Sequence, residues 1–222
     1  MTDETSFEEL LARPRDDRLI LQFSTAAPDW RFERLPALCK KWPISMMFNK
    51  NWGSALIRRA CHSPFSHVDM LMKDGTLLGA SNSPFAPFIH GNPCGVASRP
   101  MDYQKFAYRR QMILATERAD DIRRLWSTQL GKGYDNSAIR DFASDKFPGQ
   151  RDWRLNDSWF CAEGVVWAME TGHFWGPEPL RWPKNRVSPT DILMMCIHDP
   201  RWLNRDTFWK PIPGLVLGEG ET

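Results

Sequence analysis

One histidine and one cysteine stand in apolar surroundings where polar side chains are informative. His67 sits inside the apolar run Ser66–Met72 (SHVDMLM), two residues after Phe65. Cys161 stands where the irregular segment Asp157-Ser158-Trp159-Phe160 gives way to a helical pattern over Cys161–Thr171. A thiol at a helix N-terminus feels the positive end of the helix dipole, which favours the reactive thiolate. A neighbouring imidazole favours it further and can hand a proton to a leaving group. Backbone N–H groups at the same helix start can receive a developing oxyanion. These are the requirements of a cysteine hydrolase, and they call for no metal or other cofactor.

A third polar group comes from the segment around Lys73-Asp74-Gly75. Asp-Gly between two apolar runs, SHVDMLM and Thr76–Ser81 (TLLGAS), predicts a β-hairpin. If Met72 faces Leu77, then His67 faces Asn82, whose side-chain amide can accept the imidazole N–H and fix the ring. A slip of one residue brings Ser81 or Ser83 there instead. Asp69 lies on the same strand face as His67 and is the substitute for Asn82. Its carboxylate would hold an imidazolium more strongly.

Periodicity and capping residues predict the elements that must position these groups. Arg18–Ser24 (RLILQFS) and Phe106–Leu114 (FAYRRQMIL) read as strands. Ser54–Cys61 reads as a short helix. Glu117–Leu130 reads as a longer one, with Ile122, Leu125, Trp126 and Leu130 on one face and Gly131 as the stop. Asn82–Pro100 carries too many Pro and Gly for regular structure, and residues 131–158 read as polar and irregular. Cys161–Thr171 has Val165, Val166 and Met169 on one face and ends at Gly172. Ser188-Pro189-Thr190-Asp191 opens a last helix reaching about Ile197, with Ser as N-cap, Pro in the first position and Asp in the first turn. This order predicts an α+β fold, an antiparallel sheet packed against helices. With no internal repeat or linker, one domain over residues 1–222 is expected, with 1–17 a loose leader.

Composition sets outer limits. The chain has 222 residues, 42% hydrophobic and 25% charged, enough to bury a core without staples and unlike a disordered or coiled-coil sequence. A net charge of +2 is too mild to argue for a nucleic-acid partner. No apolar run approaches the ~18 residues of a membrane span. The start, MTDETSFEEL, lacks the basic and apolar pattern of a secretory signal. Synthesis in the cytoplasm is therefore expected, with delivery by another route if the protein acts elsewhere. The 5 cysteines include no CxxC pair and predict no disulfide framework. His90 and Cys94 share a loop but have no second ligand pair at zinc spacing, so no metal site is expected. The sequence holds 11 Trp against 3 Tyr, an excess that predicts Trp in a groove or interface as well as in the core.

One family combines these features. The series Ser66-His67-Val68, Gly133-Tyr134-Asp135, Trp159-Phe160-Cys161-Ala162-Glu163 and Ser188-Pro189-Thr190-Asp191 resembles the circularly permuted papain-like hydrolases of the NlpC superfamily, of the YiiX type. In that branch the His strand precedes the Cys helix, as it does here, and the resemblance runs from about Cys61 to Ile197. It implies a permuted papain-like fold with Cys161 as nucleophile, His67 as base and Asn82 as third polar residue. It also implies that Tyr134, Phe160 and Glu163 lie in the vicinity of oxyanion and substrate. Two departures stand out. The family often has Cys-Ser-Glu where this chain has Cys161-Ala162-Glu163, and Asn82 is a weaker orienter than the carboxylate often found in the third position. Relatives of this type include cell-wall peptidases, phage-associated hydrolases and toxins delivered by type VI secretion. The resemblance thus implies a metal-independent cysteine peptidase or amidase acting on a peptidoglycan stem peptide, delivered to a target periplasm, with an immunity or delivery protein as further partner. The alternatives are a thioesterase, acyltransferase or deamidase on lipid or protein substrates, and an inactive binding or structural module with a papain-like shell.

Overall fold

The computed structural model describes residues 16–26, 57–58, 63–81, 88–89, 92–103, 106–135, 157–178 and 187–210. In chain order its strands are β1 (Arg18–Ala26), β2 (His67–Leu71), β3 (Leu77–Ser81), β4 (Phe88–Ile89), β5 (Asn92–Pro93), β6 (Gly95–Arg99), β7 (Phe106–Ala115), β8 (Gly133–Tyr134) and β9 (Ser158–Trp159). The helices among the described residues are α1 (Ala119–Ser127), α2 (Cys161–Thr171) and α3 (Pro189–Cys196). The fold is α+β: five antiparallel strands in the order β6-β3-β2-β1-β7, with helices packed on the sheet.

Period-2 alternation divides the sheet into two faces. Leu19, Leu21, Phe23, Val68, Met70, Leu78 and Ala80 turn to the main core, where Ile122, Trp126, Val165, Val166, Met169 and Ile192 of the helices meet them. Ile20, Leu71, Leu77 and Ile113 turn to the opposite face and pack with Tyr103 and Phe106 in a smaller cluster. His67, Asp69, Gly79 and Ser81 share the parity of this second face. Alternation therefore gathers polar side chains beside an apolar patch, on the face turned away from most of the helical packing.

Two helices begin and end where their caps require. Ser188 accepts the Asp191 N–H at 3.1 Å and Asp191 returns the bond to the Ser188 N–H at 2.6 Å, with Pro189 in the first position. Helix α2 runs from Cys161 to Thr171 and stops at Gly172. It lies tightly on α1, because a side chain at Gly164 would come within 2.0 Å of the Trp126 ring. Gly164→Ala is expected to destabilise the protein by about 1–3 kcal/mol through overpacking, readable as a lower urea midpoint. An unchanged midpoint would mean that Trp126 moves aside freely.

Three expectations are corrected. The segment before Pro100 is not irregular throughout, since Gly95–Arg99 pairs along its full length with β3. Gly95 permits this with φ +87° and by admitting another backbone: a Cβ there would lie 2.3 Å from the Lys132 carbonyl oxygen. Val96 and the 131–132 turn then exchange two backbone bonds of 2.9 Å. Residues 133–134 also form regular structure, a short parallel pair of β8 with β9. The third correction concerns the hairpin. Met72 pairs with Thr76, its N–H donating to the Thr76 carbonyl at 2.8 Å, and Leu71 faces Leu77. The loop is three residues long and Gly75 takes φ +82°, the left-handed position such loops need. The register therefore differs by one residue from the expected pairing.

The helix predicted over Ser54–Cys61 is described only at residues 57–58, and 1–15 of the expected leader lie outside the described residues. The described strand edge of β7 is covered by the chain near 201–204, where Leu203 N–H donates to Ile113 O and Asn204 accepts the Ile113 N–H, both at 2.9 Å. Trp126, Trp159 and Trp202 are core residues, and Trp209 is exposed. No helix among the described residues is long and apolar enough to cross a membrane.

Candidate active site

His67 opens β2, and its ring Nε2 lies 2.8 Å from Asp69 Oδ1. The two are two residues apart on one strand, so the pleat alone puts them on the same face. Asp69 is fully buried, while the His67 side chain keeps 13% exposure. The corrected register places Ser81 across from His67, and Ser81 Oγ lies 3.4 Å from the same ring nitrogen. The residue facing His67 is thus Ser81 rather than Asn82, because the hairpin loop has three residues. Asn82 itself lies outside the described residues.

Cys161 is the first residue of α2 and is fully buried. Its amide and that of Ala162 open the helix, where no carbonyl lies a turn back to receive them. The Phe160 N–H just before them is satisfied by Glu163 Oε2 at 3.1 Å. Glu163 is therefore a capping carboxylate, favoured at this end of the helix by the dipole. The Phe160 ring cannot return that bond and instead packs edge-on against Tyr134, with centroids 6.1 Å apart.

Cys161 lies close enough to His67 to influence the charge of its ring. Burial is the largest influence on the imidazole and pulls its pKa down. The Asp69 charge first, then the nearby Cys161 and the Asp69 hydrogen bond to the ring, outweigh it and raise His67 from 6.5 to about 10. The ring is then an imidazolium at neutral pH, held by the Asp69 carboxylate in the neighbourhood of Cys161. Burial, followed by the charges of Cys161, Glu163 and Asp135, pushes the Tyr134 hydroxyl well above its usual range, so it stays a neutral donor.

Residues not expected from the sequence complete the surroundings. Tyr103 is buried and its hydroxyl donates to Asp69 Oδ2 at 3.4 Å, leaving Oδ1 to His67. Burial first, and then the Asp69 charge, push Tyr103 well above its usual range, against the opposing pull of Arg99. The Arg99 guanidinium lies 5.6 Å from the Tyr103 ring centroid and ties β3 to β6, donating to Gly79 O at 2.8 Å and to Gly95 O at 2.8 Å. Nothing local in the sequence marks Tyr103, because its bond to Asp69 spans 34 residues. Ser24 and Gln22, the β1 neighbours of His67 and Asp69, are buried, and Ser24 Oγ and Gln22 Nε2 have no hydrogen-bond partner.

Of the residues singled out in the sequence, Cys161, His67, Asp69, Tyr134, Phe160 and Glu163 thus share one neighbourhood, at the start of α2 and the end of the β2–β3 hairpin. No family model matches the chain, and neither a curated protein nor a solved structure gives a significant match.

Proposed function

We propose that this protein is a cysteine hydrolase of permuted papain-like design that cleaves an amide bond. The observation that carries the reading is His67 bonded at 2.8 Å to the buried Asp69 carboxylate, in the neighbourhood of a buried cysteine that opens a helix. Asp69 takes the third role in place of Asn82. Because Asp69 engages Nε2, Nδ1 is the nitrogen left for sulfur.

In this reading the Cys161 thiolate attacks the substrate carbonyl carbon, a C–S bond forms, and the carbonyl electrons move onto oxygen. The amides of Cys161 and Ala162 receive that oxyanion, with the Tyr134 hydroxyl as a neighbouring neutral donor. As the C–N bond breaks, His67 gives its proton to the departing amine. Water then attacks the thioester and loses a proton to His67. The carboxylic acid leaves, and the thiolate–imidazolium pair is restored. Asp69 keeps the ring oriented throughout and stabilises it whenever it carries the proton. The buried Ser24 Oγ and Gln22 Nε2 beside the pair, which lack hydrogen-bond partners, support the same reading, since unsatisfied polar groups are costly away from a site that uses them.

The substrate proposed is a peptide bond in a peptidoglycan stem, reached by delivery through a secretion system or a phage particle. This part rests on the sequence resemblance. It is tested by incubating the protein with a panel of muropeptides and analysing products by mass spectrometry. Paired amine and carboxylate products, with an acyl adduct on Cys161 at short times, are expected. Adducts formed only from thioesters or oxygen esters would favour the thioesterase or acyltransferase alternative. An absence of adducts from every acyl substrate would contradict the hydrolase.

The His67 value also sets a pH limit. Acylation requires the imidazolium as proton donor, so its rate should hold through neutral pH and fall as pH rises through about 10. A decline already complete near pH 7 would contradict the paired state of His67.

A further inference from the structure

Asp69 occupies space that any side chain opposite it would fill. The register of the hairpin sets Gly79 directly across from Asp69 on the neighbouring strand. A Cβ built on Gly79 would lie 1.8 Å from Asp69 Oδ1 and 2.9 Å from its Cγ. Oδ1 is the atom bonded to His67. Aspartate has a single carbon between backbone and carboxyl, so small adjustments cannot clear both contacts and the whole group must rotate. The backbone at Gly79 gives no other reason for glycine, since its φ lies outside the left-handed region and alanine would fit the strand there. Two further bonds fix the notch: Arg99 holds the Gly79 carbonyl at 2.8 Å, and Tyr103 reaches the other carboxylate oxygen at 3.4 Å.

We propose that Gly79 is a positioning residue of the Cys161–His67 site, its missing side chain forming the notch that lets Asp69 hold the imidazole. The inference rests on the proposed hydrolase reading and extends it to a residue with no chemistry of its own. It acts only through Asp69, so its effect should vanish when Asp69 is absent.

The test is a double-mutant cycle on the full-length protein, with Cys161 alkylation by iodoacetamide at about pH 6 as one readout and NMR titration of the His67 ring as the other. Gly79→Ala is expected to slow alkylation roughly tenfold or more and to move the His67 titration down from about 10. In an Asp69→Ala background the same substitution should change neither readout. If Gly79→Ala alone folds poorly, adding Asp69→Ala should restore the urea midpoint of Asp69→Ala, because the atoms the new methyl group meets are gone; a midpoint that stays low would overturn the proposal. Wild-type alkylation and titration in Gly79→Ala would overturn the proposal while leaving the hydrolase reading intact. An equal loss in both backgrounds would overturn it too, because the effect would then be structural. If wild-type Cys161 behaves as a free thiol and His67→Ala changes nothing, the hydrolase reading falls and the role of Gly79 falls with it.

Discussion

Cys161→Ser is expected to abolish amide turnover, by on the order of 10⁴-fold or more, while leaving the fold intact. The oxygen of serine fills the space of the sulfur at the start of α2, and Phe160, Ala162 and Val165 around it keep their core positions. A serine hydroxyl, unlike a thiol, has almost no anionic form for an imidazolium to hold, so the attacking species is lost rather than weakened. The same change removes one of the two partners that raise His67. Its titration should therefore move down from about 10 even though Asp69 remains. Turnover and His67 titration are separate readouts, and both should change. If Cys161→Ser keeps its turnover, another residue is the nucleophile. If only the titration stays put, the sulfur and the ring do not meet.

Asp69→Ala carries the second large effect. It leaves His67 under the burial that pulls its pKa down and removes the foremost influence raising it. The ring should then titrate nearer its ordinary 6.5 and be mostly neutral at pH 8. Turnover at that pH is expected to fall about 10²–10⁴-fold, the range associated with losing effective acid–base catalysis. A stability change follows with a definite sign. An imidazole raised in the folded state adds stability that is fully present below pH 6.5 and is lost as pH rises through about 10. Wild-type urea midpoints should therefore decline across that window from the His67 contribution, and Asp69→Ala should show a much shallower decline. Equal slopes in the two proteins would show that Asp69 does not hold the charge on His67.

The residues that give this site its elements differ in how far they can be read without coordinates. Helix α2 is legible to the residue, because Val165, Val166 and Met169 recur at helical spacing and Gly172 ends the run. Helix α3 is equally legible through the Ser188–Asp191 capping pair. These signals are local, and each lies within a few residues of what it determines. The proximity of His67 and Asp69 is local too, since both follow from the pleat of one strand. The hairpin shows where such reading stops. Asp74-Gly75 marks the turn, but a two-residue and a three-residue loop differ by one position, and that difference exchanges Asn82 for Ser81 opposite His67. Strand β6 is hidden for another reason. Pro93, Gly95 and Pro100 punctuate the segment, while its pairing is decided by β3 on one side and the 131–132 turn on the other. Tyr103 and Gly79 act on Asp69 across strands, and neither bears a signature that separates it from ordinary packing.

If Cys161 and His67 act as one reactive pair, the alkylation of Cys161 must depend on His67 and on pH. Iodoacetamide modification, located by peptide mass spectrometry, should be followed from about pH 5 to 10 in the wild-type protein and in His67→Ala. Wild-type Cys161 should be alkylated readily at about pH 6, and this reactivity should disappear in His67→Ala. A Cys161 that follows a free-thiol curve or resists modification throughout, with no change in His67→Ala, would contradict the pair and the hydrolase built on it.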